Sequence, residues 1–230
     1  MMIFAIGDVH GMLSQLEKAF ARIEQEVKNR GNPDHLIVML GDYVDRGPDS
    51  EGCIEFLMKQ PSNVICLMGN HEELMMNSDD FATARCWMNN GGIQTLNSYA
   101  LQDGEPGRRD DIPASHIEWM KNLPLSFEDD RRIFVHAGIN PRKSFSNRGD
   151  EVMWIRDPFL EHFEKFEKYV VHGHTPYAHD PFMKKRGHIR TNLDSGCFYS
   201  GKLTIAIFDD TQDEPRELIK IGGKIAPGYS

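Results

Sequence analysis

Five short segments of the sequence carry carboxylate, imidazole or amide side chains beside glycine. They are Gly7-Asp8-Val9-His10-Gly11, Gly41-Asp42-Tyr43-Val44-Asp45-Arg46-Gly47, Gly69-Asn70-His71-Glu72, His136-Ala137-Gly138 and His172-Gly173-His174-Thr175. The side chains among them that could bind a metal ion are Asp8, His10, Asp42, Asn70, His136 and either His172 or His174. This set of oxygen and nitrogen ligands without a thiolate suits Mn, Fe or Zn better than Ca, and it is too large for one tetrahedral ion. It therefore predicts two metal ions that share a bridging carboxylate.

The first three segments each follow an apolar run that is typical of a buried strand. The runs cover residues 4–6, 36–40 and 64–68. Between them, apolar residues spaced by three and four over 13–27 predict an amphipathic helix that Gly31 and Pro33 stop. A second helix, capped by Asp49 or Ser50, is predicted to continue to Met58. This β-α-β-α-β order predicts a sheet with parallel strands and right-handed crossovers.

Strand order also predicts where the polar segments meet. Ligands of α/β sheets bind outside the carboxyl ends of the strands, so the segments are expected to converge on one site. In an extended segment, Asp8 and His10 would project to the same side, because they are two residues apart. The same holds for His172 and His174, so spacing alone does not choose between them.

The middle of the chain is predicted to be mainly helical, and the part that follows it is predicted to contain more strands. Residues 72–130 are predicted to be mostly helical, whereas 132–136, 169–172, 189–193 and 203–208 are strand-like. The fold class predicted is α/β, a sandwich of two mixed sheets flanked by helices. We expect residues 1–230 to form one domain with a helical insertion at about 72–130.

Composition limits the classes of function. The 230 residues are 40% hydrophobic and 10% aromatic, which is enough for a large core. The net charge is −9, and no basic run is present, so we expect no nucleic-acid partner, because such binding depends on Lys and Arg. No apolar run approaches the length of a membrane span.

The cysteines indicate a compartment. Cys53, Cys66, Cys86 and Cys197 are scattered and form no CxxC pair. Free thiols of this kind are typical of a reducing environment, and the first residues do not resemble a signal peptide. We therefore expect a cytoplasmic protein without a membrane partner.

The ordered motifs GDxHG, GDxVDRG, GNHE, HAG and GHT, which span residues 7 to about 196, resemble those of the phosphoprotein phosphatase family of metallophosphoesterases. That resemblance implies the calcineurin-like metallophosphoesterase fold. Residues 87–99 are similar to an insertion of the bacterial serine/threonine phosphatases in this family.

The resemblance implies a role for each site residue. Asp8, His10 and Asp42 would bind one metal ion. A second ion would be bound by Asp42 as the bridge, together with Asn70, His136 and His174. His71, oriented by Asp45, would donate a proton to the leaving oxygen. Arg46, Arg156 and Asn70 would bind the substrate phosphate. The metals implied are two divalent ions, with Mn²⁺ preferred and Fe or Zn possible.

Physical chemistry agrees with these roles. Metal ions lower the pKa of bound water, to about 7 for one zinc ion in a favourable site, so a bridging hydroxide could attack phosphorus in line. Arginine suits phosphate because its planar donors bind two oxygens at once.

Three functions follow. The first is a protein serine/threonine phosphatase, acting on a phosphoprotein or a small phosphoester. The second is a bis(5'-nucleosyl)-tetraphosphatase that acts on diadenosine polyphosphates with the same metal motifs. The third, of another class, is a non-catalytic metal-binding scaffold, which the complete set of ligands and the acid disfavours. The oligomeric state is not predicted.

Overall fold

The computed structural model describes residues 1–100, 105–145, 149–162, 164–177 and 190–223. In chain order, the described strands are β1 (Met2–Ile6), β2 (His35–Met39), β3 (Val64–Cys66), β4 (Ser126–Glu128), β5 (Arg132–Val135), β6 (Tyr169–His172), β7 (Arg190–Asn192), β8 (Lys202–Phe208) and β9 (Glu217–Gly222). The described helices are α1 (Leu13–Asn29), α2 (Ser50–Met58), α3 (Asn70–Met76), α4 (Phe81–Trp87), α5 (Ile93–Ser98), α6 (Ala114–Lys121), α7 (Glu151–Trp154) and α8 (Cys197–Ser200). A π-helical turn (Met88–Gly92) joins α4 to α5, and a 3₁₀ turn covers Arg109–Asp111.

The strands form two mixed sheets. One sheet has the order β3-β2-β1-β8-β9, and its β1, β2 and β3 are parallel. The other has the order β4-β5-β6-β7, and its β5, β6 and β7 are parallel. The carboxyl ends of six parallel strands are thus available to build one site.

Alternation along the strands creates separate cores. In β1, Ile3 and Ala5 face the second sheet, where they share a cluster with Phe134 of β5. Phe4 and Ile6 point to the opposite face and pack against α1 and α2. Because neighbouring strand residues face opposite sides, one short strand connects both cores.

The helices between β3 and β4 form a core of their own. It includes Trp87, Leu74 and Met120, and it packs against Val44, which lies in the loop after β2. This helical region is therefore packed onto the loop that carries Asp42 and Asp45.

The structure confirms the predicted fold class. Asp49 is the N-cap of α2, and its carboxylate accepts a hydrogen bond from the Gly52 N–H at 2.8 Å. The third strand is shorter than predicted, since pairing with β2 ends at Cys66. Residues 101–104, in the predicted insertion, and residue 189, in the predicted strand 189–193, lie outside the described residues. Within the described part of the chain, no helix is long and apolar enough to cross a membrane.

Candidate active site

Asp42 lies at the centre of the site, three residues after β2, and is 2% exposed. Its two carboxylate oxygens face different histidines. Oδ1 is 3.4 Å from Nε2 of His136, whereas Oδ2 is 3.5 Å from Nε2 of His10 and 3.9 Å from Nε2 of His71. One carboxylate thus lies between two groups of possible ligands.

These two groups each satisfy the spacing of a metal site. The His10 cluster consists of His10, Asp42 and His71, and the His136 cluster consists of Asp42, His136 and His174. Asn70 joins the His136 cluster, because its Oδ1 is 2.9 Å from Nε2 of His136 and 2.8 Å from Nδ1 of His174. The structure therefore brings His71 as close to the first group as a ligand would be, although the sequence predicts it as a proton donor.

Hydrogen bonds assign the tautomers of three histidines. Nδ1 of His10 lies 2.9 Å from the Val44 carbonyl, and Nδ1 of His136 lies 2.8 Å from the Leu40 carbonyl. Nδ1 of His71 contacts the carboxylate of Asp45. Because carbonyl and carboxylate oxygens only accept, each Nδ1 carries a proton and each Nε2 faces the site.

The buried carboxylate of Asp8 is stabilised only in part. Oδ2 accepts the backbone N–H of His174 at 3.0 Å, but Oδ1 has no hydrogen-bond partner among the described residues. Burial and the neighbouring charge of Asp194 raise the pKa of Asp8 well above its usual range. A buried oxygen without a donor is costly, and a cation would stabilise it. These residues therefore fit metal ions. Asp8 is not in either cluster defined above, so its role as a ligand stays a prediction.

The electrostatics of the site also favour positive charge. Burial opposes a charge on His136, but Asp42 and Asp8 raise its pKa to about 10. Burial also opposes a charge on Asp42 and would raise its pKa, but the neighbouring His136 and His71 hold that pKa well below its usual range. The cluster of carboxylates thus attracts a positive charge, as a metal centre requires.

Asp45 and His71 form a buried pair beside Asp42. Oδ2 of Asp45 lies 2.6 Å from Nδ1 of His71, so the two residues that the family resemblance pairs are in contact. The same carboxylate also accepts hydrogen bonds from Trp87 and Thr95, two residues of the helical region for which the sequence indicated no role.

The two predicted phosphate-binding arginines differ in their surroundings. Nη1 of Arg46 is 2.9 Å from Nε2 of His10, and Nη2 is 3.0 Å from Nε2 of His71. Arg46 therefore lies against the His10 cluster. Its guanidinium also packs over the ring of Phe198 at 5.0 Å. Arg156 is exposed, but it lies near enough to contribute, after burial and His136, to lowering the pKa of His174 to about 3.

The structure distinguishes His174 from His172. His174 joins the His136 cluster, whereas the ring of His172 is fully buried against Phe159 at 4.9 Å. Burial and the charge of Arg190 lower the pKa of His172 to about 3, as expected of a neutral core histidine.

Backbone geometry accounts for the tight spacing. His10, Asp42, Asp45, Arg46 and His174 have φ values of 47°, 54°, 71°, 70° and 68°. The extended segment expected around His10 is therefore wrong, because the chain turns there through a left-handed residue. Such conformations are uncommon and cost about 1–3 kcal/mol each, so surrounding contacts must hold them.

One of those contacts comes from Glu72. Its fully buried carboxylate accepts the N–H groups of Asp42 at 2.9 Å, Tyr43 at 2.7 Å and Gly69 at 2.9 Å. Glu72 thus ties the loop after β2 to the loop after β3. Glu72 belongs to the motif Gly69-Asn70-His71-Glu72, but the sequence does not show that its carboxylate is buried, and so its role was not predicted.

Comparison with known proteins agrees with this geometry. Residues 1–202 match the family model described as calcineurin-like phosphoesterase. Over 212 residues the chain is 24% identical to serine/threonine-protein phosphatase 1 of Salmonella typhimurium, covering 89% of this chain and 90% of that protein. It is 27% identical over 236 residues to the asymmetrical bis(5'-nucleosyl)-tetraphosphatase PrpE of Oceanobacillus iheyensis, covering 92% of this chain and 90% of that protein.

The fold is similar to that of solved phosphatases. The cold-active protein-tyrosine phosphatase of a psychrophilic Shewanella species superposes with a TM-score of 0.58 at 18% identity, covering 95% of this chain and 77% of that one. The resemblance found in the sequence is thereby confirmed. The chain belongs to the calcineurin-like phosphoesterase family and is a dinuclear metal-dependent phosphoric ester hydrolase.

Proposed function

We propose that the protein is a protein serine/threonine phosphatase that hydrolyses phosphate monoesters of alkyl alcohols. The observation that carries this proposal is the buried pair of His71 and Asp45 beside the Asp42 carboxylate. An alkoxide is a strong base and leaves slowly without a proton, so an oriented acid matters most for such esters. A nucleotide leaves as a weak base and gains much less from an acid.

Two divalent cations bound by the clusters would lower the pKa of coordinated water and neutralise phosphate charge. Their ligands would be Asp8, His10, Asp42, Asn70, His136 and His174. Asp42 would bridge, because each of its oxygens faces a different cluster. The oxygen and nitrogen ligands support Mn²⁺, with Fe or Zn as the other candidates.

His71 would deliver a proton from Nε2 to the leaving oxygen once Arg46, whose Nη2 lies 3.0 Å from that nitrogen, has turned to the phosphate. The carboxylate of Asp45 accepts the Nδ1–H of His71 and so fixes the direction of the ring. Arg46, whose guanidinium contacts Nε2 of His10 and of His71, would turn from these nitrogens to bind the phosphate oxygens. Asn70 would contact phosphate next to the His136 cluster. Arg156 would approach from the exposed loop that follows α7.

A specific observation favours the alternative, a bis(5'-nucleosyl)-tetraphosphatase. Trp154 is 36% exposed, and its ring centroid lies 6.4 Å from that of His174. Its Nε1–H donates to the Glu73 carboxylate at 2.6 Å, which fixes the indole at the edge of the site. A fixed aromatic face is suited to stacking with a nucleobase. The similarity to PrpE supports the same alternative.

The experiment that separates these functions measures kcat/KM for a phosphoserine peptide and for diadenosine tetraphosphate, with manganese restored after chelation. We expect the peptide to be favoured by more than about 100-fold, beyond what incidental pocket contacts supply. The reverse ratio would assign the site to dinucleotides, and Trp154→Ala should then lower kcat/KM for the dinucleotide alone. Failure to cleave either substrate with metal bound would overturn both.

The remaining assignments are also proposals. We place the protein in the cytoplasm, which the free thiols of all four cysteines support. We also treat residues 1–230 as one domain, with the helices between β3 and β4 as its insertion.

A further inference from the structure

The carboxylate of Asp45 has other hydrogen-bond partners in addition to His71, the histidine that it orients. Asp45 is fully buried, and a buried carboxylate needs donors around it. Trp87 Nε1–H donates to Oδ1 at 2.8 Å and approaches Oδ2 at 3.1 Å. Thr95 Oγ1 lies 2.6 Å from Oδ1. His71 therefore contacts a carboxylate whose direction two other side chains already restrict.

The hydroxyl of Thr95 is itself oriented. Because a carboxylate only accepts, Thr95 must donate its single proton to Asp45. The Ser50 hydroxyl, 2.9 Å away, then donates to Thr95, and the backbone N–H of Asp45 donates to Thr95 Oγ1 at 2.9 Å. Each donor and acceptor of this network has a direction, so the network specifies one position for the carboxylate.

The helical region supplies this network as a unit. Trp87 ends α4, Thr95 lies in α5, and both are fully buried. The π-helical turn between them packs closely against the loop after β2, since the Gly91 carbonyl accepts the Arg46 N–H at 3.3 Å. Gly91 has φ of 109°, and a Cβ there would approach the Arg46 nitrogen to 2.5 Å.

We propose that Trp87 and Thr95 are positioning residues that act through Asp45 on His71. Their hydrogen bonds hold the carboxylate so that Nδ1 of His71 stays protonated and Nε2 faces the site. The helical region thereby contributes to proton donation without touching the substrate. This inference rests on the proposed role of His71 as the acid.

The test compares two phosphate monoesters that differ in leaving group. The phosphoserine peptide needs a proton on its leaving oxygen, whereas p-nitrophenyl phosphate releases a weak base. The variants are Thr95→Val, which removes the hydroxyl at constant volume, and Trp87→Phe, which removes the indole N–H. Thr95→Ser restores the hydroxyl. Thr191→Val is the matched control, because Thr191 is equally buried and loses one hydrogen bond, to Tyr169.

We expect Thr95→Val and Trp87→Phe to lower kcat for the peptide by about 10–100-fold, the range for residues that orient another functional group. KM and metal content should not change, and kcat for p-nitrophenyl phosphate should fall by less than about threefold. Thr95→Ser and Thr191→Val should match the unaltered protein on both esters. Equal losses on both esters, or no loss in either variant, would overturn the inference.

A spectroscopic measurement gives a readout that does not depend on turnover. In the proton NMR spectrum of the protein loaded with diamagnetic Zn²⁺, the proton shared by His71 and Asp45 should resonate far downfield, since the heavy atoms are 2.6 Å apart. Thr95→Val should shift that resonance, Thr191→Val should not, and an unshifted resonance in Thr95→Val would contradict the inference. If the unaltered protein cleaves neither ester, the proposed function fails instead, whereas the resonance still tests the network.

Discussion

Nδ1 of His71 lies 2.6 Å from Oδ2 of Asp45, and both side chains are buried. An imidazole held this way presents its other nitrogen in a fixed direction. That nitrogen lies 3.9 Å from Asp42, so the acid and the bridging carboxylate are neighbours. The distance makes two roles for His71 geometrically possible, as proton donor and as ligand.

His71→Asn distinguishes these roles. We expect metal content to be retained and kcat on alkyl phosphates to fall by about 10²–10⁴-fold, because the leaving oxygen loses its acid. Elemental analysis and steady-state kinetics on one preparation measure both. Loss of one metal equivalent would make His71 a ligand of the His10 cluster, and an undiminished kcat would remove it from the acid role.

Asp42→Asn tests the bridge. Because Oδ1 faces the His136 cluster and Oδ2 faces the His10 cluster, replacing the carboxylate by an amide should weaken both metal sites together. Titration with manganese after chelation should show two weakened equivalents. A variant that loses only one equivalent would show that Asp42 serves a single ion.

The buried thiols predict a loss of stability in alkali. Burial raises the pKa of Cys66 and of Cys197 from 9.0 to about 12. Between these values the unfolded chain releases a proton that the folded chain retains, so the free energy of unfolding falls as pH rises above about 9. The slope reaches about 1.4 kcal/mol per pH unit for each thiol.

Urea unfolding across this pH range measures that slope. Cys66→Ala should reduce it, whereas Cys86→Ala, at an exposed cysteine, should leave it unchanged. Equal slopes in the two variants would contradict the assignment to the buried thiol.

Arg132 predicts a large effect on stability away from the site. Its guanidinium is 1% exposed and donates to the Asp129 carboxylate at 2.7 Å, to the Gln212 carbonyl at 2.5 Å and to the Asp209 carbonyl. Lysine cannot reach these acceptors at once, so Arg132→Lys should lower the free energy of unfolding by about 2–5 kcal/mol. Arg131→Lys, at a partly exposed neighbour, should change it by less than about 0.5 kcal/mol. Similar losses in both variants would show that the buried acceptors do not matter.

The sequence predicted those parts of the fold whose signal is local. The helix over 13–27, the cap at Asp49 and the strands that precede the glycine motifs all have a continuous apolar or capping pattern. Strands β4 and β9 were not predicted. The first has three residues, and the second is an edge strand with an exposed Lys220 in its centre, so neither has a strong periodic signal.

The predicted ligands lie close together, but the residues that hold them were harder to find. Trp87 and Thr95 are 42 and 50 residues from Asp45, and their contacts with it depend on how the helical region packs. Glu72 was visible in a motif, yet only the folded chain shows that it accepts N–H groups from two loops. Such roles are tertiary, and one sequence does not specify them.

The left-handed backbone of the site limits how this protein could diverge. Among the described residues, six non-glycine residues have positive φ, and five of them are His10, Asp42, Asp45, Arg46 and His174. Valine, isoleucine or threonine at these positions would destabilise the fold as well as abolish activity, whereas glycine would relieve the backbone. Descendants released from selection for catalysis could therefore become more stable by acquiring glycines where the site now lies.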